Sequence, residues 1–401
     1  MIHQCLSDIL NLKRLPLGEL GFFYGGLSGK SKEDFEDGNG RFVPYMNVFS
    51  NFSVDINNLG EVNVEEDEHQ NKIEYGDVLF TGSSETPDEC GMSSVMLDKV
   101  EDDSPIYLNS FCFGFRFNDL SQIYPAFYKH LFRSNKIRKE IGKTANGVTR
   151  FNITKKLFAK ILIPLPSLEQ QREIAGKLDL FTSLIFKLNE EIELRKKQFE
   201  YYRDNLLNID GVDMKAISDV AKNYTGLTYK PENVYENGTL VLRSSNIVDE
   251  TLVFDDNVFV QMDKIPERAI VRENDLLICV RNGSKRLVGK SALIPKEAEG
   301  MAFGAFMTIL RSIDVDSKYL FYAWQSSKVR KQYKGDESMP IAQITAKDFQ
   351  RIFIPVPSKS RQKEIVDTLD SFTSLISKLQ VERDLRQKQY EYYREKLLTF
   401  E

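Results

Sequence analysis

A chain of 401 residues that is 41% hydrophobic and 28% charged, with 27 Phe and 17 Tyr, holds enough apolar material for two or three packed domains and excludes a disordered polymer. Its mean hydropathy of −0.36 and the lack of any apolar run of ~18 residues exclude a membrane-spanning helix. The net charge of −5 argues against nucleic acid only on average, because acid and base are unevenly placed.

The N-terminus, Met1-Ile2-His3-Gln4-Cys5, shows no cationic stretch followed by an apolar one and so no secretory signal. Four dispersed cysteines (Cys5, Cys90, Cys112, Cys279) contain no CxxC pair and read as reduced thiols of a cytoplasmic protein. With only His3, His69 and His130 beside them, they supply no recognisable zinc set.

Residues 1–150 read as a mixed α/β head. Short β-rich runs fall at 41–45, 78–81 and 111–117, and a helix is predicted over 125–141. The head carries a net charge of −8, with acid gathered in 61–68 and 85–103. Base concentrates in Lys129, Arg133, Lys136, Arg138, Lys139, Lys143 and Arg150, a pattern suited to steering towards phosphates. Taken alone, a charge run is usually a solvated face. Tyr45, Asn47, Ser50, Asn51, Ser83 and Ser84 follow strands and carry groups that can read base edges, though Ser and Asn are also ordinary turn residues. Tyr24-Gly-Gly-Leu-Ser-Gly29-Lys30-Ser31 fails as a phosphate loop, because tyrosine stands where the first glycine is needed. Lys30 and Arg41 stay among the DNA-binding candidates.

Residues 151–211 form a linker and a long helix. Pro164 and Pro166 stop what precedes, Ser167 with Gln170 makes a capping box, and Gly211 follows the end. Ile174, Leu178, Phe181, Ile185, Leu188, Ile192, Phe199, Tyr202 and Leu206 step mostly by 4 and 3, which is a heptad seam. A helix of ~40 residues would be about 60 Å long at 1.5 Å per residue. The bland alternative is a core helix in a bundle.

The same segment returns. Residues 163–207 match 354–398 at a constant offset of 191, with about 27 of 45 positions identical. Fainter matches lie upstream, 151–154 against 342–345, 136–139 against 328–331, and Gly76-Asp77 against Asn274-Asp275. The chain is therefore a duplication. Its second head, 212–350, has no net charge, strands predicted at 240–242, 276–280 and 303–310, and a helix at 317–333. Base recurs at Lys328, Arg330, Lys331 and Lys334, joined by Arg281, Lys285, Arg286 and Lys290. Loop candidates are Arg243, Ser244, Ser245, Asn246, Arg281, Asn282 and Ser284; arginine matches guanine and asparagine adenine in the major groove. The second long helix, within 351–401, repeats the seam at Ile365, Leu369, Phe372, Ile376, Leu379, Tyr390, Tyr393 and Leu397.

If the second head's termini lie close together, the two helices must be antiparallel. The fold class expected is α+β: two globular α/β heads separated by two long antiparallel coiled-coil helices, with a pseudo-twofold internal repeat. Arg195 and Arg386 fall on the seam, where they either set register or meet carboxylates of a partner subunit. No methyltransferase tetrapeptide such as N-P-P-Y, no G-x-S-x-G and no H-E-x-x-H is present. The chain reads as a binder that does not catalyse.

Two variable heads, each followed by I-P-x-P-S and a near-identical helix ending in Q-[FY]-E-Y-Y-R, resemble the specificity subunit of a Type I restriction-modification enzyme, the HsdS family. The resemblance covers the whole chain, and its motifs at 163–207 and 354–398 are specific while the heads are not. It implies two target recognition domains, 1–150 and 212–350, each reading one half of a bipartite site in double-stranded DNA. It implies that the helices dock two modification subunits, which flip and N6-methylate adenine, and that two restriction subunits join them. On the helices, Arg195, Tyr201, Tyr202, Arg203, Arg386, Tyr392, Tyr393 and Arg394 are the partner-binding candidates. No cofactor is expected on this chain; S-adenosylmethionine, ATP and Mg belong to the partners. Because the sequence stops after the second helix, closure against the first head falls to residues 1–20. The heads on a rigid rod would reach major grooves about 34 Å apart, so helix length would measure the half-site spacing. The alternatives are a non-catalytic two-headed protein scaffold and the DNA-recognition part of a Type IIB-like methylase/nuclease.

Overall fold

The computed structural model describes residues 12–65, 67–100, 104–334 and 343–400. His3, Cys5, Ala342 and parts of the two acidic stretches lie outside them. The chain forms two compact units. One holds the residues up to Leu188 and those from Glu382 onward; the other is Asn189–Val381. Each unit thus contains a head and one portion of each long helix.

Both heads are built on a four-stranded antiparallel sheet of the same order. In the first it runs Gly21–Gly25, Cys112–Phe117, Val78–Thr81, Ser93–Val95; in the second, Ala221–Thr225, Met307–Ser312, Leu276–Cys279, Ser291–Leu293. The strands Val78–Thr81 and Leu276–Cys279 are buried at every position, which is why they read as continuous apolar runs rather than alternating ones. Packing beneath them is aromatic. Phe80 meets Phe158 edge-on at 4.9 Å in the first head, and Trp324 stacks on Tyr333 at 4.7 Å in the second.

The repeated Asp at the start of each of these strands is a buried anchor. Asp77 takes two hydrogen bonds from the Arg116 guanidinium (2.7 and 2.9 Å) and one from the Tyr24 hydroxyl (2.7 Å). Asp275 takes the matching pair from Arg311 (2.8 and 2.7 Å). Each arginine also lies over a tyrosine, Tyr24 or Tyr224.

Several predicted boundaries need correction. The run 41–45 ends as a strand at Val43, because Pro44 takes an extended conformation and starts the helix Tyr45–Ser50. The run 303–310 is split by a turn into Ala302–Phe303 and Met307–Ser312. The helix predicted over 125–141 is two, Pro125–Leu131 and Asn135–Gly142, and that over 317–333 is Ser317–Gln325 and Ser327–Lys334. In both heads a serine makes the break: Ser134 and Ser326 are extended and donate their hydroxyls to the Leu131 and Ala323 carbonyls (2.7 Å each).

The long helices are Leu168–Leu206 and Lys359–Leu398. The capping box forms as expected: the Gln170 amide N–H donates to Ser167 Oγ (3.3 Å), and the Ser167 N–H donates to Gln170 Oε1 (3.1 Å). Within the first unit Phe181 stacks on Tyr393 at 5.4 Å, and within the second Tyr202 stacks on Phe372 at 5.2 Å. The residue numbers of both pairs have the same sum, as an antiparallel pairing requires. Leu178, Ile192, Phe199, Ile365, Leu369 and Tyr390 of the seam are buried.

Each head is fastened to its helix by the same two polar positions. Gln171 Oε1 accepts from the Tyr124 N–H (2.8 Å), and Gln362 Oε1 from the Asp316 N–H (2.9 Å). Asp179 accepts from His130 Nε2 (2.6 Å) and pairs with Lys129 (2.7 Å). Its counterpart Asp370 accepts from the Tyr322 hydroxyl (2.6 Å) and pairs with Lys318. Of the segment 1–20 expected to close against the first head, Arg14–Pro16 pairs with Leu162–Pro164, and the Arg14 guanidinium donates to the Phe400 carbonyl (3.3 Å).

Candidate nucleic-acid interface

In each head the loop that leaves the central strand is tied to the segment around Tyr45 or Ser244. In the first, Ser83–Ser84 pairs with Phe151–Ile153, and the Tyr45 hydroxyl donates to the Ser83 carbonyl (2.8 Å). Burial raises the Tyr45 phenol above its ordinary value, which keeps it a donor. Tyr45, Met46, Phe49, Ser83, Ser84 and Arg150 line a cleft of ≈ 450 Å³ together with the carboxylates of Glu85 and Glu89, and Arg150 lies over the ring of Phe111. In the second, the Asn282 side-chain amide donates to Ser244 Oγ (3.1 Å) and Lys290 Nζ to the Ser244 carbonyl (3.3 Å). Arg281 lies over Phe306. Ser284 turns its N–H onto Asn282 Oδ1 (2.9 Å), which presents Lys285 and Arg286 on an exposed helical turn. Ser245 is exposed. The structure therefore brings Tyr45, Ser83, Ser84 and Arg150 together, and likewise Ser244, Arg281 and Asn282.

Other candidates are placed elsewhere. Asn47 and Asn246 are buried and serve their own loops: Asn47 Nδ2 donates to the Asp55 and Asn58 carbonyls (2.9 and 2.8 Å), and Asn246 Nδ2 to the Val253 carbonyl (3.1 Å). Asn51 donates to Asn47 Oδ1 (3.1 Å). Lys30 is ion-paired with Glu68, which holds that carboxyl below its ordinary value. Arg41 donates to Ser104 Oγ (2.9 Å), and Arg243 pairs with Asp256 (2.7 Å).

The expected basic patch divides. Arg138 donates to the carbonyls of Asp88, Cys90 and Gly91 at 2.5–2.7 Å, and burial pulls its pKa to about 10. Arg133 likewise holds the carbonyls of Val48, Phe49, Asn51 and Ser93. These two arginines brace loops. Lys136 and Lys328 reach the ends of the long helices, at the Thr399 carbonyl and Asn208 Oδ1 (3.5 Å each). Arg330 pairs with Glu250 (3.2 Å). Lys139, Lys143 and Lys331 are exposed, with Lys143 on Glu140 (2.6 Å).

On the helices Tyr201 and Tyr392 point outward, 66% and 61% exposed, whereas Tyr202 and Tyr393 stack on the facing phenylalanines. Arg203 and Arg394 fold back over Phe199 and Tyr390 and pair with Asp204 and Glu395. The seam arginines pair along their own helices, Arg195 with Glu191 (2.7 Å) and Arg386 with Glu382 (2.7 Å).

Sequence reasoning missed Phe111 and Phe306, because it placed both inside strands. Their signal is position: each directly precedes the strand that pairs with the central one. Cys90, Cys112 and Cys279 are buried free thiols, and burial pushes Cys112 up to about 12. Among the described residues no three His, Cys, Asp or Glu side chains gather as a metal set, and no helix is long and apolar enough to cross a membrane.

The chain matches the model of the Type I restriction modification DNA specificity domain twice, over residues 16–194 and 209–385. It is 33% identical over 259 residues to the specificity subunit of the Type I restriction enzyme EcoR124I/EcoR124II from Escherichia coli, covering 60% of this chain and 63% of that one. It is 25% identical over 419 residues to the putative MjaX specificity subunit from Methanocaldococcus jannaschii, covering 98% and 92%. Among solved structures, the S subunit of a Type I restriction-modification system from M. genitalium aligns with a TM-score of 0.54 at 16% identity, over 96% of each chain. A chain from a study of assembly and conformational transition of a Type I system aligns at 0.62 and 17%, over 96% and 97%. At such identities the structural likeness speaks for the fold alone.

Proposed function

The chain belongs to the Type I restriction-modification DNA specificity family, and on that premise we propose that it reads a bipartite site in double-stranded DNA, one half with each head. The observation that carries this reading is the recurrence of one loop arrangement in both heads. In each, an arginine lies over an exposed phenylalanine beside two tethered loops at the end of the central strand. Arginine supplies a fork of N–H donors matched to guanine, and Lys285, Arg286, Lys139 and Lys143 offer charge for phosphates.

The finer assignments rest on the family. The chain is the non-catalytic member of its assembly, working in the cytoplasm, and two modification subunits dock on the long helices around Tyr201 and Tyr392. Two restriction subunits complete the enzyme, and S-adenosylmethionine, ATP and Mg bind those partners. Exposed aromatic side chains on a helix fit a protein partner, since aromatic residues are enriched at interface cores. A gel shift of the full-length chain on genomic fragments, with and without its modification subunit, tests the reading. We expect fragment-selective binding that weakens as salt rises. Protein capture without any DNA shift would favour a scaffold instead.

A further inference from the structure

Phe111 and Phe306 hold the same place in the two heads. Each ends the turn before the strand beside the central one: the next residue, Cys112 or Met307, pairs with Thr81 or Cys279. The carbonyl of each phenylalanine is locked by the loop that leaves the central strand. It accepts the N–H of Gly82 (2.8 Å) in the first head, and those of Val280 (3.0 Å) and Arg281 (3.2 Å) in the second. The backbone is thus fixed while the rings stand 57% and 58% exposed. A single exposed ring needs no explanation. The cation above each one does.

The Arg150 guanidinium lies 5.5 Å from the Phe111 centroid, and that of Arg281 lies 5.3 Å from Phe306. These arginines are not counterparts. Arg150 directly precedes the strand Phe151–Ile153. Arg281 follows the central strand, where the first head has Ser83; Asn152 pairs with Ser83 as Gln343 bridges to Arg281. The ring recurs at one place in both heads, and two different segments deliver a cation onto it. Duplication alone would have delivered both from one segment.

A ring beneath a guanidinium restrains a long side chain without using any of its five N–H donors. Among the described residues neither guanidinium has a hydrogen-bond or ion-pair partner, unlike the guanidinium groups of Arg116, Arg133, Arg138, Arg243 and Arg311. The fork stays open for the two acceptors that guanine shows in the major groove. Resting on the DNA-reading assignment above, we propose that Phe111 and Phe306 are positioning residues that hold Arg150 and Arg281 for bidentate recognition of a guanine, one in each half-site.

The test is single-molecule methylome sequencing of cells expressing the full chain with its modification subunit. Phe111→Leu should relax one guanine position of one half-site by roughly ten-fold, within the range a bidentate contact commands. Phe306→Leu should do the same in the other half, and Phe111→Trp and Phe306→Trp, which keep a ring, should restore selectivity. Arg150→Ala and Arg281→Ala should relax the same two positions. If the arginine variants relax a position that the leucine variants leave intact, the positioning role is wrong while DNA reading stands. Relaxation at different positions, or at a base pair without guanine, overturns it too. So does loss of all methylation in a leucine variant whose thermal unfolding midpoint is unchanged. A wild-type chain that directs no split motif removes the assignment beneath both.

Discussion

Asp77 is 1% exposed and Asp275 is 2% exposed, each facing an arginine across the sheet. Removing the carboxylate leaves Arg311 without its ion-pair partner and Arg116 with Glu74 alone, both partly exposed, at a cost of about 1–3 kcal/mol. We expect Asp77→Ala and Asp275→Ala each to lower unfolding stability by that order in urea titrations; a loss under 1 kcal/mol would mean the pair is not structural. The sequence showed the repeated Asp but not its partner, because Arg116 and Arg311 come from another strand. His130 was equally opaque. Its Nε2 donates to Asp179, so Nδ1 accepts from the Tyr390 hydroxyl (3.1 Å). Burial lowers its pKa, helped by the charges of Lys129 and Arg394 and opposed by Asp179. As pH falls through ~6.5 the unfolded chain takes up a proton that the folded chain resists, so stability must drop towards acid. In calorimetry from about pH 6.5 to 5, the midpoint of His130→Gln should fall less steeply than that of the wild type. Parallel curves would contradict the assignment.

The long helices were the most legible elements, since a heptad seam, two prolines and a capping box mark them in one stretch of sequence. The short helices were misread because apolar spacing continues through Ser134 and Ser326; only the hydroxyl's bond to a carbonyl three residues back shows the break. What restarts the next helix comes from far along the chain. Asp204 accepts the Ser327 N–H (3.1 Å), and Glu395 accepts that of Asn135 (3.0 Å). Asp204→Ala should therefore cost about 1 kcal/mol, the usual value of a lost cap, read by chemical denaturation. Arg195 and Arg386, expected to set register or meet a partner's carboxylates, each pair four residues back along their own helix. Such half-exposed pairs are worth ~1 kcal/mol or less, so Arg195→Ala should shift stability by no more than that. A larger loss would restore a role in register.

The duplication was visible as a constant offset of 191, and it carried the two-headed architecture with it. The loop tips were not visible, because the two heads share a fold while the residues at their tips come from different segments, as Arg150 and Arg281 do. The helix Leu168–Leu206 runs from one unit into the other, and on the proposed reading its length governs the number of unread base pairs between half-sites. Inserting a few residues near 189–193 should lengthen that spacer without changing either half; an unchanged spacer would count against a ruler. One comparison bears on the whole account: methylome sequencing of cells carrying the wild-type chain or Arg150→Ala, each with the modification subunit. A split motif is expected in the first, and in the second a change confined to one half with the other half and the spacer intact. A continuous motif, or a change spread over both halves, would contradict it.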